Sequence, residues 1–265
     1  MTIQLTIIRI EEYGSYTLTL GSDRETRLQM LQASIYHDIQ KLYSEKDCIV
    51  YSNRFDEFFA ITNGLSVHDH KDIQKHFSDL YKNINLSMTI GDGATPYDAN
   101  INAYVARKTQ KLLSKENRIF GQIQYPSSTS SITTNDCANT DYFVQIMHID
   151  VDDSTEISSR LSPYELTSLI IKIYAKLSEE FLKKGSLTFF IGGDNFMVIS
   201  NSISKEDAEQ ITKRVTMDIG VKLNCGIGVG RTGKKAAEAA TKALDIIREL
   251  RNKGKIQSIY EIKCL

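Results

Sequence analysis

The chain lacks the features that mark membrane, secreted and zinc-binding proteins. No apolar run approaches the roughly 20 residues that a membrane span needs. The four cysteines include no CxxC pair, so neither a zinc site nor a disulfide framework is supported. A net charge of −1 gives no case for a generic binder of nucleic acid or of anionic membranes. The N-terminal segment has no basic start and no cleavage site, so we predict a first β-strand and a cytoplasmic protein.

What the sequence does contain is one pattern that occurs twice. Its 265 residues are enough for two domains of ordinary size. The spacing of acidic residues agrees between the copies, because Glu11 and Asp56 are 45 positions apart and Asp150 and Asp194 are 44 apart. Three segments match in order: TIIRIEEY, YSNRFDEFFAITNG and INLSMTIGDGAT correspond to QIMHIDVD, FFIGGDNFMVISNS and VKLNCGIGVGRT. This agreement predicts a duplicated fold.

Hydrophobic periodicity predicts the element order β-α-β-β-α-β, with extra pieces, in each half. The first half has predicted strands at 3–10, 48–63 (a hairpin), 85–90 and 119–125, and helices at 24–46, from about 70, and at 96–115. The second has strands at 142–151, 186–200 (a hairpin), 222–228 and 257–263, and helices at 163–184, 205–216 and 234–252. This order is typical of the split βαβ plan.

The predicted fold class is therefore α+β, with two tandem ferredoxin-like halves. Each half is expected to be an antiparallel sheet with helices on one face. We place the halves at residues 1–126 and 141–265. The Ser/Thr-rich segment 127–140 between them is predicted to be a linker, because its composition gives it little to bury.

The carboxylates of the second half are placed where a nucleotide-bound metal would need them. Asp150 and Asp152 fall at the end of one predicted strand, and Asp194 falls at the tip of a hairpin whose strands are its neighbours. Val151 offers a backbone carbonyl between the two acids. Oxygen ligands of this kind suit an octahedral Mg²⁺ site. The alternative is an ordinary polar hairpin that carries surface acids.

Residues able to bind phosphate stand near two turns. Gly192 and Gly193 permit a tight turn and a close approach of phosphate to the backbone. Arg231, in a strand-to-helix turn, is a second candidate, and Lys234 and Lys235 follow it. The glycines just before that turn are better explained by close packing than by a phosphate loop.

His148 lies two residues before Asp150 on the same strand face. It is either a buried histidine whose hydrogen bonds are satisfied or a catalytic one.

The first half keeps only part of this set. Glu11 is predicted to stand where Asp150 does, and Asp56 matches Asp194. Arg54 and Phe55 replace the glycine pair, so this turn should not admit phosphate in the same way. The first half is then either a degenerate partner or a donor of residues such as Arg9, Arg54 and Asp56 to a site on another subunit.

The hairpin FFIGGDNFMVISN resembles the GGDEF hairpin of diguanylate cyclases and the palm of class III nucleotidyl cyclases. More specifically, the chain resembles the archaeal GTP cyclohydrolase III family, also called GTP cyclohydrolase IIa. The resemblance covers both halves in order and rests on six motifs: HIDVD, FFIGGDNFM, GIGVGRT, EEYGSYT, RFDEFFAITNG and ATPYDA.

The resemblance implies a reaction in which water opens the imidazole ring of GTP at C8. The product would be 2-amino-5-formylamino-6-(5-phosphoribosylamino)pyrimidin-4(3H)-one, a precursor of flavins or deazaflavins, with release of the β and γ phosphates. Mg²⁺ would be the metal, assisted by a monovalent cation such as K⁺. Asp150 and Asp194 would be metal ligands with Asp152 as a helper. His148, Asp194 and Asn195 are the catalytic candidates.

Two other functions remain open on the sequence. One is a nucleotidyl cyclase, against which Asn195 argues because it replaces the second acid of the GGDEF motif. The other is an inactive GTP-binding regulator, against which the intact Asp150 and Asp194 argue. The expected partners are GTP and water, without nucleic acid or membrane. Sheet edges and open faces in such halves commonly pair, so we expect a homo-oligomer, a dimer or a tetramer.

Overall fold

The computed structural model of the chain describes residues 2–115, 118–122, 143–201 and 203–264. The first half forms a six-stranded sheet in the order β2-β3-β1-β4-β6-β5. Its elements are β1 (Ile3–Ile10), α1 (Tyr13–Leu18), α2 (Arg24–Ser44), β2 (Ile49–Arg54), β3 (Glu57–Ile61), α3 (Val67–Leu80), β4 (Leu86–Gly93), α4 (Pro96–Lys108), β5 (Leu112–Ser114) and β6 (Ile119–Gln122).

The second half forms a five-stranded sheet in the order β11-β10-β7-β9-β8. Its elements are β7 (Val144–Val151), α5 (Ser154–Arg160), α6 (Pro163–Leu182), β8 (Leu187–Gly192), β9 (Asn195–Ser200), α7 (Lys205–Ile219), β10 (Leu223–Gly230), α8 (Gly233–Asn252) and β11 (Ile259–Cys264). The four strands β10-β7-β9-β8 reproduce the ferredoxin-like order, and β2-β3-β1-β4 do so in the first half. The predicted fold class is confirmed.

Helices cover both faces of each sheet. Met147, Ile149 and Val151 of β7 pack in one core with α6 and α7. On the other face of the same sheet α8 lies against β10, where Gly226 and Gly228 bring its backbone close. The predicted one-sided arrangement therefore holds for α6 and α7, while α8 and its final strand form an additional layer. This layer also adds a parallel pair, β10–β11, to an otherwise antiparallel sheet.

The inner faces of the two sheets, with α4 and α8, share one hydrophobic core. At its centre Tyr51 stacks on Phe189 with ring centroids 5.1 Å apart. The backbone N–H at the start of α4, on Tyr97, donates to the carbonyl of Gly185 in the other half (2.9 Å). The N–H of Lys234 at the start of α8 donates to the carbonyl of Asp47 (3.2 Å), so the two halves contact each other reciprocally.

Strand pairing fixes which residues of the two halves are equivalent. In the first half Arg9 pairs with Glu57 across β1 and β3, and in the second Asp150 pairs with Asn195 across β7 and β9. Arg9, not Glu11, therefore occupies the position of Asp150, and the predicted match to Glu11 is wrong. Glu11 corresponds to Asp152, two residues further along.

Capping residues explain where most of the helices begin, and local backbone geometry explains why one predicted helix end is wrong. Thr95 and Asp98 form a capping box with Pro96 in the first turn of α4, as Ser162 and Glu165 do around Pro163 in α6. The predicted helix at 96–115 is too long, because α4 ends at Lys108. Thr109 donates its hydroxyl to the carbonyl of Val105, and Gln110 takes a left-handed conformation (φ 55°) that leads into β5.

Several predictions concern residues outside the described ranges or elements that the sequence did not signal. The linker prediction at 127–140, the strand end at 123–125 and the strand start at 142 lie outside the described residues. The short helices α1 and α5 were not predicted. Within the described residues, no helix has the length and apolar character needed to span a membrane.

Candidate active site

A polar cleft of about 620 Å³ opens at the end of the second sheet, where β7 ends and the β8–β9 hairpin turns. The hairpin supplies Asp194, β7 supplies Asp150 and Val151, and α8 supplies Arg248 and Arg251. The remaining lining residues belong to the segment that begins α5: Asp153, Ser154, Thr155, Glu156 and Ser159. Three segments that are distant in sequence therefore meet at this cleft: β7 with α5, the β8–β9 hairpin, and α8.

The register of the sheet brings Asp150 and Asp194 together. Asp150 lies opposite Asn195 in the β7–β9 pair, so the preceding residue, Asp194, comes level with Val151, the last residue of β7. Gly192 (φ 114°) and Gly193 (φ 62°) form the turn in conformations that other residues rarely adopt. The predicted convergence of these two acids on one site is what the structure contains.

The carboxylates are held by cationic and amide groups. Arg248 Nη2 donates to Asp150 Oδ2 at 2.7 Å, and this bond raises the pKa of Arg248. Asn224 Nδ2, from β10, donates to Oδ1 of both Asp150 (3.0 Å) and Asp152 (3.1 Å). Arg251 Nη2 lies 2.6 Å from Asp152 Oδ1. Asp150 is only 5% exposed, so its charge is fixed in place largely by these partners.

His148 does not line the cleft, because both of its ring nitrogens face protein groups. Nε2 lies 3.0 Å from Asn195 Oδ1, and Nδ1 lies 3.1 Å from Thr241 Oγ1. Burial lowers the pKa of His148, with the hydrogen bond to Asn195 opposing this effect. Asn195 Nδ2 in turn donates to Asp194 Oδ1 at 3.0 Å. The histidine and the asparagine therefore stand behind Asp194.

The structure does not bring Arg231, Lys234 and Lys235 to this cleft. β10 runs antiparallel to β7, and its last residue, Gly230, pairs with Val144. Val144 and Val151 lie seven positions apart on β7, or about 24 Å at the usual rise. Lys234 Nζ also donates to the carbonyl of Ser44 (3.3 Å), and Lys235 pairs with Glu238 (3.0 Å). Their assignment to the same site within one chain is wrong.

The corresponding end of the first half carries a different set of charges. Arg9 Nε donates to Glu57 Oε2 (2.8 Å), and Glu57 is buried. Arg54 lies 3.5 Å from both Asp56 and Glu57, so the predicted phosphate ligand Arg54 is paired within its own hairpin. Glu11 is bonded by Arg107 at 2.6 Å. These groups form internal ion pairs where the second half presents carboxylates to a cleft.

The donor set of the second half suits a metal that shares its ligands with a substrate. Among the described residues, no group of three or more His, Cys, Asp or Glu side chains has the geometry of a metal site. Asp150 and Asp194 can together supply two carboxylates. Mg²⁺ is commonly held by one or two carboxylates, with waters and substrate phosphates completing the shell. The residues present therefore fit a metal bound together with a phosphorylated ligand.

A smaller and more apolar pocket of about 220 Å³ adjoins the cleft. Its apolar wall is formed by side chains of α5 and α6: Ile157, Leu166, Leu169 and Ile170. Val151, Ser154, Thr155 and Asp194 line both cavities, so the two are continuous. An apolar wall with hydroxyl groups at its edge is suited to a flat heterocycle.

Sequence reasoning missed three polar residues of this site. Arg248 and Arg251 lie three positions apart, and hence on one face of α8, which was a signal that could have been used. Asn224 pairs with Asp150 in the β7–β10 register, but only a correct register reveals this.

Domains of diguanylate cyclases are among the solved structures that align with part of this chain. The active GGEEF domain of a diguanylate cyclase from Vibrio cholerae aligns with a TM-score of 0.36 and 14% identity, covering 45% of this chain and 83% of that chain. A GGDEF domain from Caulobacter crescentus aligns with a TM-score of 0.37 and 10% identity, covering 45% and 77%.

Sequence comparison is far more specific. The curated GTP cyclohydrolase III of Methanothermobacter thermautotrophicus is 35% identical over 247 residues, covering 93% of this chain and 94% of that protein. That of Methanocaldococcus jannaschii is 36% identical over 247 residues, covering 93% and 88%. The profile of the family described as GTP cyclohydrolase III matches residues 3–261. The resemblance inferred from the six motifs is thereby confirmed, and the chain belongs to the GTP cyclohydrolase III family of enzymes.

Proposed function

We propose that this enzyme opens the imidazole ring of GTP at C8 in a Mg²⁺-dependent reaction. The product is the formylaminopyrimidine ribosyl monophosphate named above, and the β and γ phosphates are released. The observation that carries the proposal is the convergence of Asp150 and Asp194 on one cleft in a chain whose curated relatives are named GTP cyclohydrolase III.

Asp150 and Asp194 would hold the metal, with the Val151 carbonyl and Asp152 beside them. Mg²⁺, when bound, would neutralise charge on the triphosphate and lower the pKa of a bound water. Asn224 bridges Asp150 and Asp152 and so keeps their Oδ1 atoms on one side of the site. This leaves the orientation of both acids independent of the substrate.

In this proposal Arg248 and Arg251 bind the phosphates, the role that was predicted for Arg231, Lys234 and Lys235. Both guanidinium groups line the cleft that contains Asp150 and Asp194. A guanidinium group donates two parallel hydrogen bonds to phosphate, which makes it suited to a triphosphate. Four acids also line the cleft (Asp150, Asp153, Glu156 and Asp194), so the two arginines together with the metal would offset the charge of the triphosphate.

The adjoining apolar pocket would bind the guanine base. Leu166, Leu169 and Ile170 provide a wall for the ring, while Ser154 and Thr155 provide hydroxyl groups where the pocket joins the cleft. A base in this pocket lies next to Asp194, which places the imidazole part of guanine near the carboxylates. Water attack at C8 then adds one water to the base, with separate hydrolysis of the phosphates.

Mass spectrometry of the products tests the proposal. Purified protein is incubated with GTP and Mg²⁺, with Asp194→Ala in parallel. We expect a product with the mass of GMP plus one water, release of phosphate or pyrophosphate, and no product from the variant. Replacing K⁺ by a large organic cation tests the monovalent ion in the same assay. Unchanged GTP would instead identify a binding or regulatory protein, and cyclic GMP or a dinucleotide would identify a cyclase.

We also propose that the chain forms a homo-oligomer. α4 exposes an apolar face, whereas the equivalent positions of α8 are polar, so the fold itself does not require this face to be apolar. The exposed residues are Tyr97, Ile101, Tyr104 and Val105, and their equivalents are Lys234, Glu238, Thr241 and Lys242. Light scattering coupled to gel filtration would contradict the proposal if the mass equalled the 30.0 kDa of one chain.

A further inference from the structure

A line of three hydrogen bonds connects α8, β7 and the β8–β9 hairpin. Thr241 Oγ1 lies 3.1 Å from His148 Nδ1, and His148 Nε2 lies 3.0 Å from Asn195 Oδ1. Asn195 Nδ2 then donates to Asp194 Oδ1 at 3.0 Å. We call these four residues the relay. It ends on the carboxylate that the proposed function assigns to the metal.

The donors and acceptors of the relay can be assigned from chemistry. The Asn195 carbonyl oxygen can only accept, so His148 Nε2 must carry the hydrogen. In the neutral ring Nδ1 is then an acceptor, and the Thr241 hydroxyl is the group that can donate to it. With both nitrogens engaged, His148 has no free position from which to take a proton from a reacting water. Its contacts instead fix the direction in which the Asn195 amide points.

The relay requires α8 to approach β7 closely. Gly226 lies directly opposite His148 in the β7–β10 pair. A Cβ at Gly226 would lie 2.2 Å from the carbonyl oxygen of Ala240 and 2.6 Å from the backbone nitrogen of Leu244. The absence of a side chain there allows α8 to lie close enough for Thr241, the residue after Ala240, to reach His148.

The described residues of the first half contain no such arrangement, although their backbone plan is the same. Strand register places Ile7 at the position of His148 and Glu57 at that of Asn195. Tyr104 of α4 stands at the position of Thr241, and it is exposed. The fold is therefore stable without a relay. The relay occurs in the second half, where Asp150 and Asn195 stand at the positions of Arg9 and Glu57 and so cannot form the same ion pair.

The Asp194 carboxylate needs this support because the turn before it does little to fix its orientation. The two residues before it are glycines with positive φ, which restrict the chain less than any other residue. Among the contacts of the described residues, the hydrogen bond from Asn195 is the one that orients its carboxylate.

We propose that His148 is a positioning residue, which acts through Asn195 to orient the Asp194 carboxylate for the metal. This inference rests on the proposed function, because it assumes that Asp194 binds a divalent cation. Partners that orient metal ligands typically contribute about 10- to 100-fold to metal affinity or activity.

The test compares His148→Ile, which installs the first-half residue, with His148→Gln, whose amide N–H replaces Nε2–H. The readout is binding of Mn²⁺ in the presence of a non-hydrolysable GTP analogue, measured by electron paramagnetic resonance. We expect His148→Ile to bind Mn²⁺ about 10-fold more weakly. We expect His148→Gln to stay within about 3-fold of the parent protein, because it keeps the donor to Asn195.

Thr241→Val keeps the shape of the side chain and removes only the donor to Nδ1. It should weaken Mn²⁺ binding by about 3-fold, and it carries the test if His148→Ile does not fold. Normal Mn²⁺ binding by His148→Ile or by Thr241→Val would overturn the relay. So would equal loss of turnover in His148→Ile and His148→Gln with unchanged Mn²⁺ affinity, since His148 would then act directly.

Asp194→Ala separates failure of the relay from failure of the proposed function. If this variant binds Mn²⁺ like the parent protein, the metal site itself is wrongly placed. If it loses Mn²⁺ while His148→Ile does not, the site is correct and the relay is wrong.

Discussion

The two halves of the chain share a strand order and a helix arrangement but differ in the charges at equivalent ends of their sheets. In the second half Asp150 faces a cleft and is bonded by Arg248 and Asn224. In the first half Arg9 occupies the same position and pairs with the buried Glu57. The exchange of a carboxylate for a guanidinium group at this position, together with Glu57 in place of Asn195, gives the first half an internal ion pair where the second half has an acid that lines a cleft.

This comparison separates what the fold needs from what the chemistry needs. In both halves, glycines of the sheet allow the inner helix (α4 in the first half, α8 in the second) to pack closely. Both halves also make the reciprocal contacts of Tyr97 with Gly185 and of Lys234 with Asp47. Only the second half keeps the glycine turn before its acid. We infer that the first half contributes packing, and that its ion pairs hold the end of its sheet together.

The largest difference between the halves is expected from removing the matched hairpin acids. Asp194→Ala should lower turnover of GTP by at least about 100-fold, because removing a ligand should cost no less than removing one of its supporting partners. Asp56→Ala, the equivalent change, should leave turnover within about 3-fold, since the ion pair of Asp56 among the described residues is with the exposed Arg54. Steady-state kinetics of both variants would contradict the comparison if they were equally impaired.

The arginines at the equivalent ends of the two sheets should differ in what their removal changes. Arg248→Ala should lower kcat/KM for GTP by roughly 10- to 100-fold, the value of a hydrogen bond to a charged group. Arg9→Ala should instead lower the free energy of unfolding by about 1–3 kcal/mol with little change in kcat/KM, because it removes a charged partner from the buried carboxylate of Glu57. Kinetics and urea unfolding of both proteins give the test. An active but destabilised Arg248→Ala would show that Arg248 serves stability alone.

Substitution of the glycines that pack against α4 and α8 should destabilise the fold to a similar extent in both halves. A Cβ at Gly91 would lie 2.2 Å from the carbonyl oxygen of Ala99, and one at Gly228 would lie 2.1 Å from that of Ala236. Each Gly→Ala change should therefore destabilise the fold by about 1–3 kcal/mol. Thermal unfolding measures this, with Gly14→Ala as the control, because a Cβ there meets nothing within 4 Å. A marked inequality between the halves would show that only one of them limits stability.

The smallest effect is expected from the thiol that each half buries. Burial raises the pKa of Cys48 and of Cys225 from the ordinary 9.0 to about 12. The folded state therefore holds these protons more tightly, and the stability this confers is lost as pH rises from about 9 to about 12. Between about pH 8 and about pH 10, Cys225→Ala should lose less stability than the parent protein, by about 1 kcal/mol. Equal losses in urea unfolding would contradict this assignment.

The architecture and the convergence of Asp150 and Asp194 could be predicted because they depend on the order of the elements and on the alternation of side chains along a strand. Neighbouring strands in a split βαβ sheet had to bring Asp150 and Asp194 to one end. The error at Glu11 has a physical cause, since a shift of two residues keeps a side chain on the same face of its strand. Alternation alone cannot detect such a shift.

The phosphate ligands could not be placed without knowing strand direction and helix length. Arg231 follows a strand that runs antiparallel to β7, so it emerges at the far end of the sheet. α8 then returns along the sheet for 20 residues, and its last turns carry Arg248 and Arg251 to the acids. The short helix α5 gave no periodic signal, and it supplies one wall of both cavities.

The reciprocal contacts of Tyr97 with Gly185 and of Lys234 with Asp47 have a consequence for how this chain can change over time. Two identical subunits related by a two-fold axis make paired contacts of this kind. Here both contacts lie within one polypeptide. In a dimer of identical subunits every substitution appears at both sites, so one gene cannot give an arginine to one site and an aspartate to the other. The two halves of a tandem chain can be substituted independently. Arg9 and its equivalent Asp150 show that the halves of this chain have diverged in this way.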